Sequence, residues 1–356
     1  MRFFHTNQIK TTTDDNNKEV EVPISVEPTA PSLKNSKSRL SRRELEEKYE
    51  AVLSTFHNFN VKVQKCSVDT PDIVEGPASI MFRVSPSDGV DPKKLFEKSD
   101  ALKLNLKLTA DQNIRFGIDA GTVTIDVPKL DQDRYYVSSA DIWDDWSLNK
   151  SDLCVPLGLD RFGEVISINF SSSISPHLLI AGTTGSGKSE ALNTILGGLV
   201  KFYSPQQLQL ILIDPKGTEM THLDNSPHLL DEIGWQDSDA INFLEKAVFE
   251  MQSRYEKLAA KRGSRSISQF NEVVEDSEVL PWWVIVLDEY ADLTSDAEAK
   301  KTIEGLLKRL AQKARAVGIH VIIATQKPSG DVISTNSRSN LPAQLAKRVR
   351  SATESR

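Results

Sequence analysis

The stretch Leu178-Leu-Ile-Ala-Gly182-Thr-Thr-Gly-Ser-Gly-Lys188-Ser189 decides the fold of this 356-residue chain. A short apolar run enters a glycine-rich turn of the form G-x-x-x-x-G-K-[ST], and helix-forming residues follow to about Phe202. Such a turn points backbone N–H groups at phosphate oxygens, and the dipole of the following helix favours the same negative charge. We therefore predict a phosphate-binding loop made of Gly182, Thr183, Thr184, Gly185, Ser186, Gly187, Lys188 and Ser189.

The last two residues of this loop carry its chemistry. In loops of this pattern the lysine reaches the β- and γ-phosphates, and the hydroxyl that follows it ligates Mg²⁺. The sequence thus predicts ATP and Mg²⁺ as cofactors, held by Lys188 and Ser189. The alternative is a glycine-rich turn that binds no nucleotide.

Two further apolar runs end in polar residues that suit the same reaction. Trp283-Val-Ile-Val-Leu-Asp288-Glu289 places Asp288 to hold Mg²⁺ through water and Glu289 to take a proton from the attacking water. Gln326 follows a later apolar run, at a position suited to sensing the γ-phosphate. Acidic pairs at strand ends are also common as solvated caps, and Gln326 could be an ordinary loop residue.

Strands and helices alternate from His177 onward. The apolar runs that we predict as buried parallel strands are Leu178–Ile180, Leu208–Ile213, Trp283–Leu287 and Val321–Ala324. Amphipathic spacing predicts helices over Lys188–Phe202, Ser238–Lys261 and Asp296–Val317. This alternation predicts a doubly wound α/β domain over residues 151–356.

The preceding sequence has a different character. Residues 1–40 are polar and hold three prolines, so we expect a flexible arm. Residues 41–150 predict a small α+β domain, with a helix from Ser41 to about His57. Its β-rich stretches are Val61–Val63, Ile80–Val84 and Val123–Val127, and Pro128 to Asn149 are expected to form an irregular connection.

Composition narrows the class of protein. The chain has two cysteines and 39% apolar residues, which excludes a disulfide scaffold. No apolar run approaches the ~18 residues that cross a bilayer, so we expect no membrane segment and a cytoplasmic location. The net charge is −7, yet residues 300–356 hold twelve Lys or Arg against three acidic residues. This asymmetry indicates either a surface that meets a polyanion or the solvated face of a helix.

Several motifs together resemble the motor domain of FtsK/SpoIIIE DNA translocases. Besides the phosphate-binding loop, they are Ile213-Asp-Pro-Lys216, Pro227-His-Leu-Leu230, Val286-Leu-Asp-Glu-Tyr-Ala-Asp-Leu293, Gln312-Lys-Ala-Arg-Ala-Val-Gly-Ile-His320 and Ala324-Thr-Gln-Lys-Pro-Ser-Gly-Asp-Val-Ile333. A weaker resemblance to the small domain before the motor lies in Gly76-Pro77, Phe82-Arg83-Val84, Gly89-Val90 and Thr124-Ile-Asp-Val-Pro128.

The resemblance implies a RecA-like P-loop NTPase core in a homo-oligomeric ring, usually hexameric. Such a ring threads double-stranded DNA and couples its movement to ATP hydrolysis. It also implies that Arg315 is an arginine finger acting on a neighbour's nucleotide, and that Lys327 and Arg338 meet DNA phosphates without reading bases. A basic residue favoured by a helix dipole is the alternative for Arg315.

The chain departs from the family pattern in three ways. Lys327 stands where the family has arginine, the run Lys347-Arg348-Val-Arg350 is unusually basic, and the sequence stops where further strands are expected. We therefore expect a motor domain truncated at its carboxyl end. The alternatives left open are a secretion-type ATPase that moves polypeptide and an ATP-binding subunit of a DNA-defence or conjugation complex.

Overall fold

The chain folds into two compact units, of which the larger holds residues 143–157 and those from Ile166 onward, and the smaller holds most residues up to Ile142 together with Gly158–Val165. A computed structural model describes residues 9–13, 19–23, 40–66, 72–119, 121–144, 146–149, 151–160, 164–261, 263–327, 332–334 and 338–348. Within these residues no helix is both long and apolar enough to pass through a bilayer.

The smaller unit is built on an antiparallel sheet. Its elements are β1 (Ile9–Thr13), β2 (Glu19–Pro23), α1 (Arg42–Asn58), β3 (Val63–Gln64), β4 (Ile73–Glu75), β5 (Ser79–Pro86), α2 (Lys93–Phe96), α3 (Ser99–Asn105), β6 (Arg115–Asp119) and β7 (Thr122–Pro128). The sheet order is β3-β5-β7-β6, with β4 also paired to β5, while β1 and β2 form a two-stranded sheet among the described residues.

Helix α1 begins where the sequence predicted it. Ser41 and Glu44 form a reciprocal capping box, which satisfies N–H groups of the first turn. Tyr49, Val52 and Phe56 are buried on one face, and the Tyr49 hydroxyl donates to the Arg83 carbonyl on β5 at 2.8 Å. Of the predicted flexible arm, the structure describes β1, β2 and residue 40, and the remainder lies outside the described residues.

The remaining elements lie mainly in the larger unit, although α4, β8 and β9 each include residues assigned to the smaller one. In chain order these are α4 (Ser139–Trp143, which reaches across the division), β8 (Cys154–Leu159), β9 (Val165–Asn169), β10 (Leu178–Ala181), α5 (Lys188–Phe202), β11 (Leu208–Ile213), α6 (Asp237–Ala260), α7 (Ile267–Val273), β12 (Trp282–Leu287), α8 (Tyr290–Leu293), α9 (Ala297–Lys313), β13 (Ile319–Thr325) and β14 (Ala343–Ala346). Strands β8 and β9 form a separate two-stranded sheet.

A five-stranded parallel sheet organises this unit. The strand order is β11-β12-β13-β10-β14, and every pairing in it is parallel. All six residues of β12 and all seven of β13 are buried, as expected for central strands covered on both faces. The predicted P-loop α/β fold is therefore confirmed, with a smaller antiparallel unit before it.

The sheet order positions the site. Strand β13 lies between β10, which leads into the phosphate-binding loop, and β12, which leads into Asp288. Because parallel strands end at the same edge, the residues after β10, β12 and β13 are neighbours in space. Residues distant in sequence are thereby brought to one edge of the sheet.

Local predictions were wrong in three places. The β-rich stretch Val61–Val63 reaches the strand only at Val63, where β3 begins. The connection expected to be irregular contains α4 and a 3-10 turn over Asp131–Asp133. The helix expected to run to Val317 ends as α9 at Lys313, and a 3-10 turn over Ala314–Val317 completes it. Gly318 has a φ of 71° and ends that turn, after which β13 begins.

Candidate nucleotide-binding site

The turn between β10 and α5 presents unsatisfied donors at the start of a helix. Gly187, the residue before α5, has a φ of 87°, and no side chain caps the helix start. Ser186 Oγ is buried and has no hydrogen-bond partner among the described residues. A helix amino terminus with free N–H groups beside an unpartnered buried hydroxyl fits the oxygens of a phosphate group.

Hydrogen bonds to neighbouring segments fix the start of the phosphate-binding loop, at Gly182, Thr183 and Thr184. The N–H of Gly182 donates to the Thr325 carbonyl at 3.2 Å, which joins the loop to the end of β13. The N–H and hydroxyl of Thr183 both donate to the Arg348 carbonyl, each at 3.0 Å. Thr184 Oγ1 donates to Oε1 of Gln326 at 2.9 Å. The loop is therefore fixed by β13 and by the residues after β14.

Lys188 and Asp288 form a buried ion pair. Lys188 Nζ donates to Asp288 Oδ1, and the side chains of the two residues are only 6% and 2% exposed. Burial raises the pKa of the Asp288 carboxyl, and the charge of Lys188 opposes that effect. An anionic phosphate is the natural replacement partner for Lys188, and it would leave Asp288 free to act as an oxygen ligand for a metal.

The Ser189 hydroxyl has a protein partner in the loop after β11. It donates to Glu219 Oε1 at 2.7 Å, so its proton is held and its lone pairs face away from that carboxylate. No group of three or more His, Cys, Asp or Glu suited to a metal occurs in the part of the chain that the structure describes. Mg²⁺ characteristically takes one or two carboxylates and completes its shell with water and phosphate oxygens, which suits Ser189 and Asp288.

Glu289 has a strained backbone and a carboxylate with one protein donor on each oxygen. Its φ of 40° and ψ of 57° are left-handed, a conformation that costs a non-glycine residue free energy and is concentrated at functional sites. The Gln326 N–H donates to its Oε1 at 3.2 Å, and Lys216 Nζ donates to its Oε2 at 3.0 Å. Glu289 is 4% exposed, so the carboxylate depends on these donors.

Gln326 connects the two halves of the site. Its side chain accepts from Thr184 in the phosphate-binding loop, and its backbone donates to Glu289. The structure therefore brings together five of the predicted site residues, namely Thr184, Lys188, Asp288, Glu289 and Gln326. Their roles in hydrolysis stay predictions.

Arg315 lies at the opposite edge of the parallel sheet from the residues described above. It sits in the 3-10 turn that precedes β13, at the amino ends of the strands, whereas Gln326 follows the carboxyl end of β13. The seven residues of β13 separate these edges by about 20 Å at roughly 3.3 Å per residue. Arg315 is exposed, and its Nε donates to the Ser171 carbonyl at 3.2 Å.

The two predicted DNA contacts are only partly placed by the fold. Lys327 is exposed directly after Gln326, and its N–H donates to Thr325 Oγ1 at 3.2 Å. Arg338 is half-buried and its N–H donates to the Ser334 carbonyl at 2.9 Å. Residues 328–331 and 335–337, which complete that loop, lie outside the described residues.

Two models of known protein families match this chain. The model of the FtsK/SpoIIIE family matches residues 143–330, and the model of the FtsK alpha domain matches residues 28–129. The chain belongs to the FtsK/SpoIIIE family. The resemblance predicted from its motifs is therefore confirmed.

Curated members of the FtsK/SpoIIIE family are similar over most of this chain. The DNA translocase SftA of Bacillus subtilis is 37% identical over 88% of the chain, which covers 32% of SftA. The DNA translocase FtsK of Clostridium acetobutylicum is 34% identical over 97% of the chain, which covers 44% of that protein. The chain thus spans less than half the length of either relative.

Solved structures share the fold. The conjugation coupling protein TcpA, determined with ATPγS, superposes with a TM-score of 0.54 at 20% identity, covering 87% of this chain and 85% of TcpA. The cytoplasmic domain of the Type VII secretion ATPase EccC of Thermomonospora curvata gives a TM-score of 0.51 at 26% identity, covering 62% of this chain and 26% of that protein.

Three residues of the site, all in the loop after β11, received no role from the sequence, although two of them lie in the motif Ile213-Asp-Pro-Lys216. Asp214, Lys216 and Glu219 join the strand-end carboxylate Glu289 and the loop hydroxyl Ser189 through hydrogen bonds. The signal was present, because Asp214 follows the buried run Leu208–Ile213 just as Asp288 follows β12. The strand-end rule that identified Asp288 also applies to Asp214.

Proposed function

We propose that this chain is a Mg²⁺-dependent ATPase that translocates double-stranded DNA as a homo-oligomeric, hexameric ring. The observation that carries the proposal is the connected set Thr184–Gln326–Glu289 beside the buried pair Lys188–Asp288, in a chain of the FtsK/SpoIIIE family. The set provides a phosphate site, a metal ligand and a proton acceptor at one edge of the sheet.

Each residue has a role in the proposed reaction. The phosphate-binding loop from Gly182 to Gly187 and the Lys188 ammonium hold the phosphates. Ser189 and Asp288 would hold Mg²⁺, which would neutralise charge on the phosphate oxygens. Glu289 accepts a proton from the attacking water, and Gln326 senses the γ-phosphate from between Thr184 and Glu289.

Arg315 acts in trans in this proposal. Its position at the amino ends of the strands supports this, because about 20 Å of β13 separates it from its own phosphate site. Head-to-tail contact would deliver the guanidinium to a neighbour's nucleotide, and such contacts close into a ring. A cation there stabilises charge on the transferring phosphoryl group.

DNA is the proposed substrate because the named relatives are DNA translocases. Lys327 and Arg338 would meet backbone phosphates, which makes binding independent of base sequence. We also propose the domain arrangement of a polar arm over residues 1–40, a small domain over residues 41–150 and a motor domain over residues 151–356.

The test is ATP turnover by the full chain with and without duplex DNA. Duplex DNA of unrelated sequences should raise the rate, whereas unfolded polypeptide at the same mass concentration should not. Stimulation by polypeptide alone would favour a secretion-type motor, the class of the related EccC structure. Turnover unaffected by either polymer would contradict coupling of hydrolysis to translocation.

A further inference from the structure

The loop after β11, residues 214–220, is tied together by one buried carboxylate. Asp214 Oδ1 accepts from the N–H groups of Lys216 and Gly217 at 3.2 and 3.0 Å, and Oδ2 accepts from those of Glu219 and Met220 at 2.9 and 3.1 Å. Asp214 is fully buried. Four donors on one fixed carboxylate make this loop, called here the β11 loop, a single stiff body.

One end of the β11 loop contacts the proposed base. Lys216 Nζ lies 3.0 Å from Glu289 Oε2 and 3.7 Å from Asp292 Oδ2. Burial lowers the pKa of Lys216, but the hydrogen bond and charge of Glu289, together with the charges of Asp292 and Asp288, raise the pKa overall, so the ammonium form is favoured. Because the Gln326 N–H occupies Oε1, both oxygens of Glu289 accept from protein donors.

That arrangement fixes the orientation of the Glu289 carboxylate. Each carboxylate oxygen has two lone pairs, of which Lys216 occupies one on Oε2 and Gln326 occupies one on Oε1. A general base must point a free lone pair at the water that it deprotonates. Turning the carboxylate toward that water requires one of the two donors to release it, and the side chain of Lys216, 42% exposed, is the one able to move into solvent.

The other end of the β11 loop contacts the proposed metal ligand. Glu219 Oε1 accepts from the Ser189 hydroxyl at 2.7 Å. Glu219 and Lys216 belong to the same stiff body, so a shift of Ser189 is passed to Lys216 through the Asp214 hydrogen bonds. The β11 loop thus connects the metal side of the site to its base.

We propose that Lys216 is a positioning residue that restrains Glu289 until the phosphate and metal sites are filled, the signal passing from Ser189 through Glu219 and the β11 loop. This inference rests on the proposed ATPase function. It assigns to Lys216 the suppression of turnover in the resting enzyme, and to Glu219 the sensing of the filled site.

A tryptophan reports the position of the loop. Gly217 has a φ of 62°, and a Cβ placed on it would clash with Cζ3 of Trp235. The indole therefore packs directly on the loop backbone, while the side chain remains partly open to solvent at 45% exposure. Any shift of the β11 loop changes the environment of this ring.

The first measurement is steady-state ATP turnover without DNA. Lys216→Met should raise kcat about two- to fivefold and leave KM unchanged. This range corresponds to the free energy that a partly exposed ion pair contributes. Lys216→Arg keeps the cation and should stay near the parent rate. Lys246→Met is the matched control, because Lys246 pairs with Asp231 at similar exposure on the surface of α6. An unchanged or lowered kcat in Lys216→Met would overturn the restraint.

The second measurement needs no turnover. The Trp235 emission, taken as the difference from the same chain carrying Trp235→Phe, should change when Mg²⁺ and a non-hydrolysable ATP analogue are added to the parent. Lys216→Met without nucleotide should already show the changed emission, and Lys246→Met should not. Identical nucleotide-free emission in parent and Lys216→Met would refute the proposal. Should the parent fail to hydrolyse ATP, the proposed function fails, and this comparison still decides whether the Lys216–Glu289 contact holds the β11 loop in its resting position.

Discussion

The backbone N–H of Gln326 donates to Oε1 of Glu289 over 3.2 Å, which fixes the carboxylate after β12 to the residue that follows β13. The Gln326 side chain extends the connection to Thr184 in the phosphate-binding loop. A change at the phosphates can therefore reach the proposed base through one intervening residue. This connection exists because β13 lies between the other two strands.

Glu289→Gln should bind ATP and stall. The amide keeps the shape of the side chain but cannot accept a proton from water, so turnover should fall by about 10²-fold or more, the usual contribution of a general base. Affinity for Mg²⁺ and ATP should stay within a few-fold of the parent, as measured by equilibrium binding. Glu298→Gln, at an exposed position in the first turn of α9, is the matched control. Parental turnover in Glu289→Gln would show that another group orients or deprotonates the water.

Arg315→Ala should bind ATP normally and lose most of its turnover. The side chain is exposed and gives up only one hydrogen bond to the Ser171 carbonyl, so the fold should survive. Fingers of this kind contribute about 10³–10⁵ to the rate. Lys188→Ala protomers should restore activity on mixing, because a mixed interface can pair an intact phosphate-binding loop with an intact finger. No rescue in mixed assemblies verified by native mass spectrometry would mean that Arg315 does not act in trans.

DNA binding should weaken steeply with salt and vary little with base sequence. Each lost phosphate contact lowers the slope of log affinity against log salt concentration by about 0.9. Lys327→Ala and Arg338→Ala should each flatten that slope, whereas Lys257→Ala on the exposed face of α6 should not. Strong preference for one duplex over its scrambled counterpart would contradict contacts made only to phosphates.

Acid should destabilise the larger unit through two buried histidines. The rings of His177 and His320 lie 6.3 Å apart between centroids. His177 Nδ1 accepts from the Val321 N–H at 3.1 Å, and His320 Nδ1 donates to the Pro176 carbonyl at 2.9 Å. Burial lowers the pKa of His177 to about 4 and also lowers that of His320, to which the neighbouring His177 contributes. Each ring therefore stays neutral in the folded state at pH values where the unfolded chain is already protonated.

The sign of the effect follows from proton uptake. Between the unfolded pKa of about 6.5 and the lowered folded values, the unfolded chain binds more protons, so stability falls as pH falls through this window. Each histidine should cost about 2 kcal/mol between pH 7 and pH 5. Urea unfolding at these pH values measures the loss. It should be smaller in His320→Gln and unchanged in His57→Gln, since His57 is exposed on α1. An equal loss in His320→Gln and the parent would rule out this pair as the cause.

The parts of the site that could be predicted are those formed by residues close together in the sequence. The phosphate-binding loop is one contiguous motif, and Asp288 and Glu289 end an unbroken apolar strand, so both were evident without the structure. Helix α5 has the predicted bounds, because glycines precede it and its apolar positions repeat with helical spacing.

The remaining features of the site depend on contacts between residues far apart in sequence, and these contacts could not be predicted from the sequence alone. Lys216 acts on Glu289 across 73 positions, and only the adjacency of β11 and β12 brings them together. The edge strand β14 is short and alternates between half-buried and exposed residues, so it gives no strong apolar signal. The distance of Arg315 from its own phosphate site became visible only when the direction of β13 was known.

Displacement of a third strand from a DNA triplex tests the central claim most directly. With Mg²⁺ and ATP, the chain assembled on a duplex that carries a triplex-forming oligonucleotide should release that oligonucleotide, at a rate that depends on ATP. Glu289→Gln, bound to the same DNA with ATP, should release none. Strong duplex-stimulated ATP hydrolysis without release of the third strand would contradict translocation along DNA.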